Sequence, residues 1–85
     1  MSELMLDGNA AAGTLQEIFA AEMTTVVETC DNCGTAAEIG TLHLYKSAGL
    51  TLRCPTCEAV LIKIVSSGTR TWLDLHGTRT MEFHA

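Results

Sequence analysis

The sequence predicts a small α+β domain: an N-terminal helix on an antiparallel sheet of about five or six short strands, stapled at four cysteines. Three observations predict it. A helical apolar period is confined to residues 4 to 23, short strand-like runs fill the chain after Thr24, and Cys30, Cys33, Cys54 and Cys57 form two C-x2-C pairs. With 85 residues, 47% hydrophobic and 18% charged, the chain has a globular composition but is too short to be secure on packing alone. A staple is therefore expected.

In the first segment Leu15, Ile18, Phe19 and Met23 recur at the three- and four-residue steps of one helix face. Asp7 or Asn9 could cap its start, and Thr14 with Glu17 fits a capping box. One helix from about Asn9 to Met23, interrupted near Gly13, is the expectation. Strands are expected over Thr25–Thr29, Ile39–Lys46, Leu50–Arg53, Val60–Ser66, Thr69–His76 and Thr78–Phe83, with two-residue turns at Ser67-Gly68 and His76-Gly77. Residues 1 to 85 read as one domain: a helical segment over 4–23, a metal-holding unit over 25–66 and a further C-terminal β-hairpin over 67–83.

The cysteines carry the chemistry. Two C-x2-C pairs separated by twenty residues fit a four-thiolate metal site, because each two-residue spacer lets both sulfurs of a tight turn face one tetrahedral centre. Buried thiols, disulfides or a redox dithiol at Cys54-Pro55-Thr56-Cys57 are weaker readings, since no βαβ pattern surrounds that motif. Zinc is preferred to iron, which the same sulfur cage suits. With all four positions filled, no site is left for substrate or activated water, so one structural Zn2+ is expected, supplying the staple. Gly34 follows the first pair where a left-handed backbone is useful, and Pro55 stiffens the second turn. Glu58 stands where the first turn has Gly34, so the second turn is expected to differ in shape there.

Cys30-Asp31-Asn32-Cys33-Gly34 and Cys54-Pro55-Thr56-Cys57, over roughly residues 25 to 66, resemble a zinc ribbon. Over its full length, including Leu6-Asp7-Gly8-Asn9 and Trp72-Leu73-Asp74-Leu75, the chain resembles a family of short uncharacterised actinobacterial zinc-ribbon proteins. That resemblance implies a metal-stabilised fold and a bacterial source, but no activity. Zinc ribbons occur in transcription and translation proteins, which implies a nucleic-acid-associated role as an alternative.

If the two tight turns set the register, Val65 pairs with Arg70, Lys63 with Trp72, Ile62 with Leu73, Asp74 with Arg79 and Trp72 with Met81. Val60, Ile62, Ile64, Leu73 and Leu75 then form an apolar stripe for the helix to cover. Lys63, Arg70, Trp72, Arg79, Met81 and Phe83, with Asp74 among them, form the opposite face, a candidate interaction surface. Three readings compete for it: an ordinary solvated face, a protein partner or homodimer interface, and single-stranded nucleic acid stacked on Trp72. A net charge of -5 disfavours the last.

His43, His76 and His84 have no ligand spacing, and no phosphate loop or nucleophile with a base partner is visible. Asp74 and Glu82 are expected on opposite faces, so the protein is expected not to be an enzyme. No bilayer-length apolar run occurs, and Met1-Ser2-Glu3-Leu4 lacks the character of an export signal. A cytoplasmic, non-enzymatic, metal-binding interaction module without membrane contact is the overall expectation, with an iron-loaded electron carrier as a second alternative.

Overall fold

The structure, a computed structural model, describes residues 5–46 and 48–83. Leu4, where the helical segment was expected to begin, and His84 lie outside the described residues. Eight strands are described: β1 (Met5–Asp7), β2 (Val27–Cys30), β3 (Ala36–Glu38), β4 (His43–Lys46), β5 (Leu50–Arg53), β6 (Val60–Ser67), β7 (Arg70–Asp74) and β8 (Thr78–Glu82), with one helix, α1 (Ala12–Phe19). The strands form two antiparallel sheets, not one of five or six strands. A five-stranded sheet has the order β1-β4-β5-β6-β7 and a three-stranded sheet the order β3-β2-β8. The two extra strands, β1 and β3, have three residues each, too few to show a period in sequence.

At the N-terminus Leu6 pairs with Leu44, and Asp7 ends the strand by capping a 3-10 turn over Gly8–Ala11. Its carboxylate accepts the Asn9 N–H at 3.1 Å. The expected break thus falls at Ala11, not Gly13, which lies inside α1. The Thr14–Glu17 capping box does not form, because Thr14 is already inside the helix; Ala11 precedes the helix without a side-chain cap. The helix stops at Phe19 because Ala20 takes a left-handed conformation (φ 56°) and donates its N–H to the Gln16 carbonyl. Met23 is nevertheless fully buried, from the loop that follows.

Ile39–Thr41 forms a second 3-10 turn, so only His43–Lys46 of the expected Ile39–Lys46 run is strand. β5 occupies the expected residues. The β6–β7 loop is Gly68-Thr69, which pairs Val65 with Trp72, Ile64 with Leu73 and Lys63 with Asp74. Gly68 at φ 62° suits the first position of such a loop. This register differs from the expected one by two residues, so each side chain keeps its expected face.

The C-terminal strands depart further, because β7 and β8 do not form a hairpin. Leu75–Gly77 carries the chain out of the five-stranded sheet, and β8 pairs with β2 in the other one. The expected Asp74–Arg79 and Trp72–Met81 pairs therefore do not exist. Gly77 allows the crossing, since a Cβ there would lie 1.9 Å from the Val60 carbonyl oxygen.

One apolar core draws on both sheets and the helix, with Leu15, Met23, Ile39, Leu42, Leu44, Leu52, Leu61 and Ile62 fully buried. Each such side chain contributes roughly 1.5–3 kcal/mol. Ile18, Phe19, Leu73 and Leu75 pack against its margin. Val60, expected in the stripe, is 40% exposed. A β-bulge where Leu52 pairs with Ile62 but Arg53 with Val60 makes Leu61 the extra residue and turns it inward instead.

Candidate metal centre

Both cysteine pairs sit in turns of the same build. In the first, Cys30 closes β2; its N–H donates to the Thr35 carbonyl (2.9 Å) and its carbonyl accepts the Gly34 N–H (3.0 Å). In the second, which follows β5, the Cys54 N–H donates to Ala59 O (2.9 Å) and Cys54 O accepts from Glu58 N–H (2.8 Å). Gly34 and Glu58 hold the corresponding left-handed position, at φ 80° and 63°. The expected difference in shape is absent, because Glu58 accepts the conformation that Gly34 takes freely.

Each turn is also preceded by a bulge. One lies between Thr29 and Cys30 in the β2–β8 pairing, the other between Leu52 and Arg53 in β5–β6. Bulges re-aim the chain locally. The first turn joins β2 and β3 of the small sheet and the second joins β5 and β6 of the large one, so the four sulfurs meet where the two sheets come together.

The sulfurs of Cys30, Cys33, Cys54 and Cys57 all lie within 4.8 Å of one another. Cys30 and Cys57 are 3.7 Å apart and Cys33 and Cys54 3.6 Å apart. These separations are far beyond the roughly 2 Å of a disulfide. They match the edge of about 3.8 Å of a tetrahedron with metal–sulfur bonds of about 2.3 Å. The residues therefore fit one metal ion.

Nitrogen donors surround the cage. The Asn32 and Cys33 N–H groups point at Cys30 Sγ (3.3 and 3.4 Å), Thr56 N–H at Cys54 Sγ (3.4 Å), and the Asn32 side-chain amide reaches across to Cys57 Sγ (3.4 Å). Such donors favour sulfur as the anion that a metal requires. The Thr35 hydroxyl pulls the exposed Cys33 thiol down to about 6. The Asn32 amide lowers Cys57, whereas burial pushes Cys54 up to about 11. Cys30 and Cys54 are fully buried and Cys33 is at the surface, so the cage is anchored in the core and open to solvent on one side.

One carboxylate braces the second turn and another is buried in β2. Glu58 bonds His43 Nδ1 (2.7 Å) and accepts from the Tyr45 hydroxyl (3.3 Å), while its backbone carbonyl accepts from Arg53 Nη1 (2.8 Å). His43 thus braces the second turn and stands outside the sulfur cluster. Glu28 is buried, and burial pushes its carboxyl up to about 7; the Thr78 hydroxyl 3.3 Å away opposes that rise.

The expected interaction face divides between the sheets. Register places Lys63, Arg70, Trp72 and Asp74 on the outer face of the five-stranded sheet, with Trp72 51% exposed. Arg79 is the extra residue of the β8 bulge and turns to Asp31, Nε to Oδ1 at 3.2 Å. Met81 pairs with buried Glu28 and packs against the core, and Phe83 lies beyond β8. Asp74 and Glu82 are in different sheets. The face also holds His43, Tyr45 and Arg53, which sequence reasoning had not placed there, with the Arg53 guanidinium 5.8 Å from the Tyr45 ring centre. The alternation in His43-Leu44-Tyr45 and Thr51-Leu52-Arg53 was the available signal.

Among the described residues no helix is long and apolar enough to cross a membrane. No curated protein and no solved structure matches the chain. A family model matches residues 2–85, nearly the whole length over which the two turns, the sheets and the crossing at Gly77 are laid out, and the chain belongs to that family of unknown function, DUF6510.

Proposed function

We propose that the protein is a non-enzymatic protein-interaction module whose shape is set by one structural zinc ion in a zinc-ribbon-like pair of turns. The convergence of four sulfurs at tetrahedral spacing carries this reading. Four thiolates complete the coordination of zinc and leave no position for a substrate, so the ion's role is to hold the two sheets together. Four reduced cysteines also suit a cytoplasmic compartment.

The work of binding falls to the outer face of the five-stranded sheet around Trp72. Nucleic acid is the less favoured occupant. Asp7 and Asp74 interleave with Arg53, Lys63 and Arg70 on that face, and the chain carries a net charge of -5, so no continuous cationic track is offered to phosphates.

Elemental analysis and a visible spectrum of the purified protein test the metal. One zinc per chain and a colourless solution are expected; coloured, iron-loaded protein would overturn the assignment in favour of an electron carrier. Titration with a labelled single-stranded oligonucleotide at low and high salt tests the face. Tight, steeply salt-dependent binding would replace the protein-interaction reading with a nucleic-acid one.

A further inference from the structure

We infer that β7 is a dimerisation strand: two copies of the chain pair antiparallel through Arg70–Asp74, with Trp72 on the two-fold axis. This rests on the interaction-module reading and names the partner as a second copy.

Among the described residues β7 ends the five-stranded sheet, with β6 on one side and no strand on the other. The other sheet edges are blunted in ways that commonly prevent strand addition. β1 and β3 have three residues each, and β8 pairs through a bulge. β7 has five residues, no proline, no lysine and an unbroken register with β6.

The backbone restricts how two such edges can meet. Ser67 and Arg70 close a two-residue loop and so form a hydrogen-bonded pair, and every second pair up the ladder does the same. Arg70, Trp72 and Asp74 accordingly direct their N–H and C=O groups toward β6. Thr71 and Leu73 direct theirs to the free edge. An added antiparallel strand must bond to Thr71 and Leu73, which allows only registers that change in steps of two.

Among the symmetric registers, centring on Thr71 sets Trp72 opposite Arg70 of the second copy, and centring on Leu73 sets Trp72 opposite Asp74. Centring on Trp72 bonds Thr71 to Leu73 across the seam and pairs Arg70 with Asp74 twice, once on each side of a Trp72–Trp72 contact. These are non-hydrogen-bonded pairs, the closer kind, in which opposite charges and aromatic pairs stabilise most. Arg-Thr-Trp-Leu-Asp is thus charge-complementary to itself when reversed.

The neighbouring strands extend the match. Val65 lies beside Trp72 and Lys63 beside Asp74, so the seam would carry an apolar row Val65–Trp72–Trp72–Val65. Flanking it, each Asp74 sits between its own Lys63 and the Arg70 of the second copy. Arg70 makes no ion pair among the described residues of one chain, and the exposure of Trp72 is the apolar surface the seam would cover.

Sedimentation equilibrium of the metal-loaded protein, from low micromolar to submillimolar, tests this together with the emission of Trp72, the one tryptophan of the chain. A reversible dimer is expected, with a blue shift as the dimer fills. Arg70→Asp or Asp74→Arg alone turns both cross-seam pairs repulsive and should weaken association on the order of tenfold or more. Arg70→Asp with Asp74→Arg restores both pairs in swapped order and should recover most of the affinity. A metal-loaded wild-type protein that stays monomeric would sink the dimer and leave the metal-held module intact. A dimer indifferent to both reversals, or not rescued by the swap, would overturn this seam.

Discussion

Gly34 and Glu58 occupy the same left-handed position in the two cysteine turns, at φ 80° and 63°. Their side-chain surroundings differ. A Cβ added at Gly34 would meet nothing within 4 Å, so Gly34→Ala should cost only the backbone penalty, about 1 kcal/mol. Glu58 bears that penalty already and offsets it with His43 and Tyr45. Glu58→Ala loses both contacts and keeps the strain, whereas Glu58→Gly loses the contacts and relieves it. Denaturant unfolding should therefore rank Glu58→Gly above Glu58→Ala by about 1 kcal/mol. Equal stabilities would mean that the second turn does not hold the shape of the first.

Removing the metal should separate the two sheets, because the turns at Cys30 and Cys54 belong to different ones. Structural zinc contributes on the order of 10 kcal/mol in small units, which exceeds the margin of a core this size. Chelation at neutral pH, and Cys54→Ser without chelator, should each abolish the cooperative unfolding transition seen by circular dichroism. Acid should act likewise, since protons compete with the metal for thiolate. An apo-protein with an unchanged transition would show the cage to be dispensable for folding.

Gly13 and Gly77 are opposite cases of one substitution. Gly13 lies exposed inside α1 with open space where a Cβ would go, so Gly13→Ala should raise stability by about 0.5–1 kcal/mol. Gly77→Ala would drive its methyl into the Val60 carbonyl, 1.9 Å from the Cβ. It would also push away a strand end whose Gly77 carbonyl accepts the Asp31 N–H at 2.9 Å. Because backbone and not a flexible side chain is in the way, the crossing must shift, and a loss of several kcal/mol or failure to fold is expected. Thermal melts of the two variants should move in opposite directions.

What could be read from sequence followed how local the cause was. Cys30, Cys33, Cys54 and Cys57 were legible because each pair's geometry is set within a four-residue turn. Ile62, Ile64 and Leu73 kept their expected face despite a two-residue register error, since side-chain direction repeats every two residues. Arg79 and Met81 were misplaced because His76-Gly77 resembles a hairpin turn, while the partner of β8 is β2, some fifty residues earlier and joined by contacts that no local pattern records. Val60 was misplaced for a smaller reason: a single bulge exchanged it for Leu61. The likeness of the second turn to the first was hidden because Glu58 is not the residue a left-handed position favours.

The Thr78 hydroxyl lies 3.3 Å from Glu28 Oε1 and 3.2 Å from the Leu61 carbonyl oxygen. One hydroxyl hydrogen cannot serve two acceptors fully. If Glu28 is protonated, its O–H donates to Thr78, whose own hydrogen is left for Leu61. Burial works in the same direction, holding the carboxyl at about 7 against 4.5, and four thiolates around a divalent ion would add negative charge nearby. A pKa raised on folding means that the native state holds the extra proton, so this contribution to stability is greatest below about 4.5 and fades as pH rises through about 7. Glu28→Gln supplies a neutral donor at every pH. Its stabilising effect on the metal-loaded protein should be larger at pH 8 than at pH 6 by about 1 kcal/mol, because between them the native carboxyl passes from mostly neutral to mostly ionised while the unfolded one is ionised at both. Urea unfolding at the two pH values measures the difference, and a stability gain independent of pH would rule out titration of Glu28 as its source.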